Sequence, residues 1–220
     1  MGVTAIFRQG AVEAALASLF PHGVAVAAEV VGAVEDGGLW PEELAGIAGA
    51  VTARRAEFAA GRIAARRCLE VLGQRPAGLP IGADRAAVWP TGVFGSISHG
   101  GGVAVAVASD VGPVGVDIEE DAALDAELWP IICGKAELSE LPEGDRGRWV
   151  RQIFAAKEAL FKAQAPARRA MFGFDAVDLR LKPDGFVARV RMAVGDFSEG
   201  QDVHGRLALV QGLILAGVAR

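Results

Sequence analysis

Apolar residues recur at helical spacing between residues 146 and 164: Val150, Phe154 and Phe161, with Trp149, Ile153 and Leu160, share one side of a segment that has no proline and no glycine after Gly147. This predicts a long helix with one buried face. Residues 11–19 show a weaker helical pattern, and residues 24–30 read as a short apolar strand ended by a Glu35-Asp36-Gly37-Gly38 turn. Pro41 suits the first position of a helix, and Thr52 is placed to cap a second helix that stops at Gly73. Residues 75–90 read as loop and short extended pieces. Strands follow at 94–99 and 103–109, then a third at 114–119. Pro130 and Pro142 divide the next stretch into short helical pieces. Beyond Pro166 the pattern turns to alternation: strands at 174–181 and 186–192 about a turn at 182–185, and a closing strand or pair over 207–218. His204 falls in the preceding loop and receives no role. The class expected is α+β.

The length of 220 residues with 52% hydrophobic content supplies ample core for one large domain or two small ones. The net charge is −5, and each half carries slightly more acid than base, 10 against 8 in residues 1–112 and 17 against 14 in 113–220. Neither half is a basic arm, so nucleic-acid binding finds no support. Cys68 and Cys133 are isolated, without metal-type spacing, which suggests a reducing compartment. The first ten residues lack the apolar stretch of a secretory leader, and the longest apolar run, 207–219, is interrupted by Gln211 and too short for a bilayer. A cytoplasmic, monomeric protein is expected, with no membrane span.

Three segments carry candidate chemistry. In Val114-Gly115-Val116-Asp117-Ile118-Glu119, residues two apart on a strand point the same way, so Asp117 and Glu119 converge. Such a pair suits solvent or a hard cation such as Mg²⁺; the plainer alternative is an exposed acidic strand end. In the long helix, Glu158 and Lys162 stand four apart, with Lys157 on the flank. This chain builds its positive charge from arginine and has only four lysines, at 135, 157, 162 and 182. Two of them beside one glutamate suggest a need for compact ammonium charge, although an ordinary surface ion pair would have the same spacing. In the segment Ser96-Ile97-Ser98-His99-Gly100-Gly101-Gly102, a glycine turn could offer N–H groups to a phosphate, with Ser98 and His99 adding side chains; equally, it could be a plain hairpin. On the helix after Thr52, Arg62 and Arg66 share a face with Phe58 and could lean toward an anion, while the other arginines read as a solvated face.

Ser-x-Ser-His, then Gly-x-Asp-x-Glu, then an aromatic-x-x-Lys-Glu-Ala-x-x-Lys helix resembles the 4'-phosphopantetheinyl transferases of the surfactin and enterobactin synthetase-activating type. Upstream, Glu57-Phe58-Ala59-Ala60-Gly61-Arg62 and Pro80-Ile81-Gly82-Ala83-Asp84-Arg85, with Trp89-Pro90-Thr91-Gly92, resemble the enterobactin-type subgroup. The resemblance implies two similar α/β subdomains, 1–112 and 113–220, related by a pseudo-twofold axis with the site in the cleft between them. A faint internal echo agrees: Phe58-Ala-Ala-Gly-Arg with Arg66 answers Phe154-Ala-Ala-Lys-Glu with Lys162. The implied reaction moves the 4'-phosphopantetheine arm of coenzyme A onto a serine of an acyl, peptidyl or aryl carrier protein, in siderophore or other secondary metabolism, and releases adenosine 3',5'-bisphosphate.

By the same resemblance Asp117, Glu119 and Glu158 would hold Mg²⁺, or Mn²⁺ in its place, with Asp117 also at the coenzyme A pyrophosphate. Ser98 and His99 would meet the 3'-phosphate of coenzyme A, Arg62 and Arg85 further phosphate oxygens, and Lys162 the pyrophosphate. Glu158 and Lys157 would be catalytic, Glu158 as base. Phe154 stands where the family commonly has Trp, and the last forty residues match its pattern poorly. A coenzyme A or nucleotide-binding module without catalysis is the alternative. For docking of an acidic carrier, Arg168 and Arg169 are expected ahead of Arg146, Arg148 and Arg151.

Overall fold

The computed structural model describes residues 3–33 and 38–220; the turn expected at Glu35 to Gly37 lies outside them. The chain runs α1 (Val3–Leu19), β1 (Ala25–Val30), α2 (Pro41–Leu44), α3 (Thr52–Val71), β2 (Phe94–Gly100), β3 (Val103–Ser109) and β4 (Val114–Glu120). It continues as α4 (Trp129–Ile132), α5 (Lys135–Ser139), α6 (Arg146–Lys162), β5 (Val177–Lys182), β6 (Gly185–Val190), β7 (Asp202–Val210) and β8 (Leu213–Ala219). The α+β class is as expected, with two antiparallel sheets ordered β1-β3-β2 and β4-β8-β7-β6-β5. Pro41 sits in the first turn of α2. Thr52 does not cap α3: Val51 is the cap residue and no side chain bonds there. Expected as one strand or a pair, the closing segment is a hairpin, and its first strand starts early enough to include His204. Among the described residues no helix is long and apolar enough to cross a membrane.

Strand alternation sorts the core into layers. On β3, Val103, Val105 and Val107 face one way and join Val12, Leu16 and Leu19 of α1 together with Val114, Val116 and Ile118 of β4 and Leu213 and Leu215 of β8. Helix α1 therefore packs on both sheets at once. Each fully buried Leu or Ile in this cluster contributes about 1.5–3 kcal/mol. The opposite face of the first sheet is alanine, with Ala106 and Ala108 on β3 and Ala25 and Ala27 on β1, which lets Ala64, Ala65, Cys68 and Leu69 of α3 lie close. On the second sheet, α6 covers the face away from α1 through Val150, Ile153, Ala156 and Leu160.

Two fully used buried glutamates fix the remaining helices. Glu43 on α2 accepts from Trp40 N at 2.8 Å, Leu79 N at 3.0 Å and Arg66 Nη1 at 2.7 Å. Glu137 on α5 accepts from Gly134 N at 2.7 Å, Leu179 N at 2.8 Å and Lys157 Nζ at 2.9 Å. Each takes a buried cation and the backbone N–H groups around it, so that these donors are paired.

The two sheets meet where β2 lies along β4. Ser96 Oγ accepts from Val116 N at 3.1 Å, and a side chain at Gly100 would stand 2.6 Å from Ile118 O, so only glycine lets the strands close there. The neighbouring turn is a tight hairpin: Gly101 and Gly102 have φ of +54° and +78°, which glycine adopts without strain. Those two residues turn the chain and do not line the cavity of the site.

Candidate active site

Along β4 the residues that do not enter the α1 core face α6. Gly115 lies directly under that helix, where a Cβ would come within 2.6 Å of Ala163 N and also strike Ala159 O. This close approach brings the last turns of α6 down beside Asp117. Asp117 is 3% exposed; its Oδ1 accepts from Ser98 Oγ at 2.8 Å and from Lys162 Nζ at 2.6 Å, and Lys162 also donates to Ser98 Oγ at 3.1 Å. Its second oxygen, Oδ2, is buried without a hydrogen-bond partner. Burial raises the Glu158 carboxyl above the usual range, the Asp117 charge adds to this, and Lys162 opposes it. Glu119 is raised for the same two reasons, burial and then Asp117, against Arg151. A concentration of negative charge with one orphaned oxygen is thus held between β4 and α6.

Beside it opens a cavity of about 330 Å³ between α3, β2 and the segment after α6. Its lining mixes apolar side chains, Phe58, Ile81, Trp89, Ile97, Phe161 and Met171, with basic ones. Arg62 stacks on Phe58 at 4.1 Å and donates Nε to Leu79 O at 2.6 Å; burial lowers its pKa to about 10, still charged at neutral pH. Arg54 is hydrogen-bonded to His99 Nε2, and Glu57 stands 3.6 Å from His99 Nδ1. Burial, supported by Arg54 and Lys162, lowers the His99 pKa, with Glu57 opposing. Arg85 lies at the rim in the left-handed region, φ +64°. Five basic side chains, Arg54, Arg62, Arg85, Lys162 and Arg169, with His99, face two acids, Glu57 and Asp84. A cavity lined by both aromatic and cationic side chains, with more base than acid, suits an anionic ligand that also has apolar surface.

The structure gathers Ser98, Asp117, Glu158 and Lys162 in one group, with Glu119 on its edge, and places Arg62, Arg85 and His99 in the adjoining cavity. It does not bring Lys157 there. One residue from Glu158, and so a quarter turn round α6, Lys157 is 3% exposed, and its ammonium donates to Ile132 O, Phe174 O and Glu137, each at 2.9 Å. All three N–H bonds are used in the core, away from the cavity. Arg66 is likewise spent on Glu43 instead of reaching an anion. Ser98 has its hydroxyl hydrogen on Asp117.

Sequence reasoning missed Arg54 and Glu57 on α3, four residues before Phe58 and Gly61 respectively; helical periodicity through those residues would have found them. It also placed Arg169 on a docking rim. Arg169 lines the cavity, bonds Asp84 Oδ2 at 2.9 Å in the segment before β2 and keeps a buried Nε with no partner. Arg168 beside it is exposed.

The carboxylates fit a divalent cation in part. Among the described residues no three acidic, histidine or cysteine side chains are already gathered as a metal cage, because Lys162 occupies Asp117 and Arg151 donates to Glu119 at 2.8 Å. In favour stand the orphaned Asp117 Oδ2 and the two glutamates raised by burial and by the Asp117 charge, each of which a cation would relieve.

Comparison with known proteins gives this geometry a family. Residues 40–109 match the model of the 4'-phosphopantetheinyl transferase N-terminal domain, and residues 113–208 match that of the 4'-phosphopantetheinyl transferase superfamily. The chain is 35% identical to the 4'-phosphopantetheinyl transferase Svp of Streptomyces mobaraensis over 82% of its own length and 78% of the relative's. It is 32% identical to the 4'-phosphopantetheinyl transferase PptT of Mycobacterium tuberculosis, over 81% and 84%. Against enterobactin synthase component D of Escherichia coli O157:H7 it is 41% identical, over 57% and 62%. With both parts of its length matched and these relatives covered over most of theirs, the chain belongs to the 4'-phosphopantetheinyl transferase superfamily.

Proposed function

We propose that this protein transfers the 4'-phosphopantetheine arm of coenzyme A to a serine of an apo carrier protein, acyl, peptidyl or aryl, releasing adenosine 3',5'-bisphosphate. The observation that carries the reading is the junction of a cavity lined by basic and aromatic side chains with the Asp117–Glu158–Lys162 group, which offers binding for a nucleotide phosphate next to a base and a cation. The nucleotide end of coenzyme A would take the cavity, with His99, Arg62, Arg85 and Arg54 at its phosphates. The serine Oγ attacks the phosphorus that carries the pantetheine arm, and the P–O bond to the nucleotide breaks. Glu158 takes the serine proton; its raised pKa brings it nearer to the hydroxyl than an ordinary carboxylate. Lys162 neutralises charge on the departing phosphate. Asp117 and Glu158, joined by Glu119, would hold Mg²⁺ or Mn²⁺, which supplies charge neutralisation at the phosphates.

The paired buried glutamates, Glu43 and Glu137, each at the third position of a short helix and each bonded to a backbone N–H and a helix cation, support reading 1–112 and 113–220 as related halves about a pseudo-twofold axis. The same reading makes the protein a cytoplasmic monomer working in siderophore or other secondary metabolism. The test is incubation with coenzyme A, Mg²⁺ and a panel of apo carriers, read by mass spectrometry. The mass of one arm should appear on at least one carrier and be absent from its serine-to-alanine variant. Tight binding of coenzyme A with no mass gained on any carrier would favour a silent binding module and sink the proposal.

A further inference from the structure

Glu119 stands on the same face of β4 as Asp117, yet its Oε2 accepts from Arg151 Nη1 at 2.8 Å, and Arg151 is also anchored by Nε on Ala122 O at 3.3 Å. Arg148, on the turn before, grips Asp121 with two nitrogens. Two neighbouring arginines of α6 are thus each held on an acid at the end of β4, and Glu158 follows two turns later on the same helix. Side-chain exposures are 22% for Arg151 and 23% for Glu119, and 46% for Arg148, so a partner can reach both arginines. With about a fifth of each side chain exposed, the Arg151–Glu119 pair is open on one side, where another carboxylate can compete for the guanidinium.

We propose that Arg151 is a latch: it holds Glu119 apart from Asp117 and Glu158, and an acidic surface on the carrier protein, by taking Arg151 and Arg148 as its own partners, releases Glu119 to complete the cation site. The inference rests on the transferase reading and concerns when that site assembles. It makes carrier and cation binding reciprocal: whatever factor the carrier adds to cation affinity, the cation adds to carrier affinity. The factor is bounded by the pair that is broken. A partly exposed ion pair corresponds to about two- to fivefold in affinity.

The experiment is a titration of the full chain with Mn²⁺, followed by electron paramagnetic resonance of the free ion, with and without an apo carrier whose acceptor serine is alanine. Arg151→Gln should bind Mn²⁺ about two- to fivefold more tightly than wild type. Arg148→Gln, which removes the same charge but frees Asp121 and not Glu119, should give a smaller gain. Adding Glu119→Gln to Arg151→Gln should abolish the gain. The unreactive carrier should tighten Mn²⁺ binding to wild type by a similar factor and leave Arg151→Gln unchanged. Equal affinity of wild type and Arg151→Gln overturns the latch, as does an equal gain from Arg148→Gln or a carrier effect that persists without Arg151. Absence of Mn²⁺ binding in every variant overturns it too, while the carrier mass shift judges the transferase reading separately.

Discussion

Gly115→Ala tests whether the packing of α6 on β4 sets the geometry of the site. The added Cβ would begin 2.6 Å from Ala163 N and 2.9 Å from Ala163 Cβ, with Ala159 O nearer still. These are backbone and near-backbone atoms, which cannot rotate away as a long side chain could. Reaching ordinary contact at about 3.4 Å requires the C-terminal turns of α6 to lift by roughly 0.8 Å or more. Those turns carry Glu158 and Lys162, whereas Asp117 stays on β4. Displacements near 1 Å at reacting groups cost about a hundredfold in rate, equivalent to about 2.7 kcal/mol in the barrier. Overpacking costs about 1–3 kcal/mol in stability, a fall in melting temperature of roughly 2–12 °C for a chain of this size. The assay is kcat/KM for carrier modification alongside thermal unfolding by circular dichroism. Gly10→Ala, on a helix position with open space around it, is the control and should leave kcat/KM unchanged. Wild-type kcat/KM and melting temperature in Gly115→Ala would refute the claim that this contact positions Glu158.

Lys157→Met removes one partner of an ion pair whose side chains are 2% and 3% exposed, so it should destabilise the protein by about 3–5 kcal/mol yet leave kcat/KM at low temperature within a few-fold. A stable variant that had lost transfer would return Lys157 to the reaction. Arg169→Gln should raise the dissociation constant for coenzyme A about tenfold or more by calorimetry, since a charged hydrogen bond is worth about 1.5–3 kcal/mol; a change within twofold would take Arg169 out of the ligand site. His99, held neutral at pH 7 by its lowered pKa, should gain a proton when an anionic phosphate approaches, because the phosphate favours the charged ring. Coenzyme A affinity should therefore rise as pH falls from about 7.5 toward 6, with proton uptake seen by calorimetry in buffers of different ionisation enthalpy. An affinity with the same pH profile in His99→Asn would refute that contact.

Local pattern made much of this molecule legible. Helical spacing marked α6, and period-two alternation on β4 put Asp117 and Glu119 on one face, the face that α6 covers. What stayed hidden depends on partners far away in sequence. Lys157 and Lys162 look alike beside Glu158, and only the placement of Glu137, on a short helix between two prolines, decides that Lys157 turns into the core. Arg66 is hidden in the same way by Glu43, 23 residues earlier. The glycine turn after His99 has the composition of a phosphate cradle and of a hairpin alike; pairing of Gly100 with Val103 selects the hairpin. Arg169 follows α6 in an irregular segment, where no periodicity tells whether a side chain meets solvent or a cavity. The bridging of both sheets by α1 is equally a long-range fact, since its apolar face is compatible with either sheet alone.

The most direct test of the account is to follow carrier mass and adenosine 3',5'-bisphosphate together, for wild type and for Glu158→Gln, with coenzyme A binding measured in parallel. Wild type should release one bisphosphate per arm transferred. Glu158→Gln should still bind coenzyme A, since the cavity walls are unchanged, but form neither product at a measurable rate. Transfer by Glu158→Gln within a few-fold of wild type would contradict the placing of the reaction between β4 and α6.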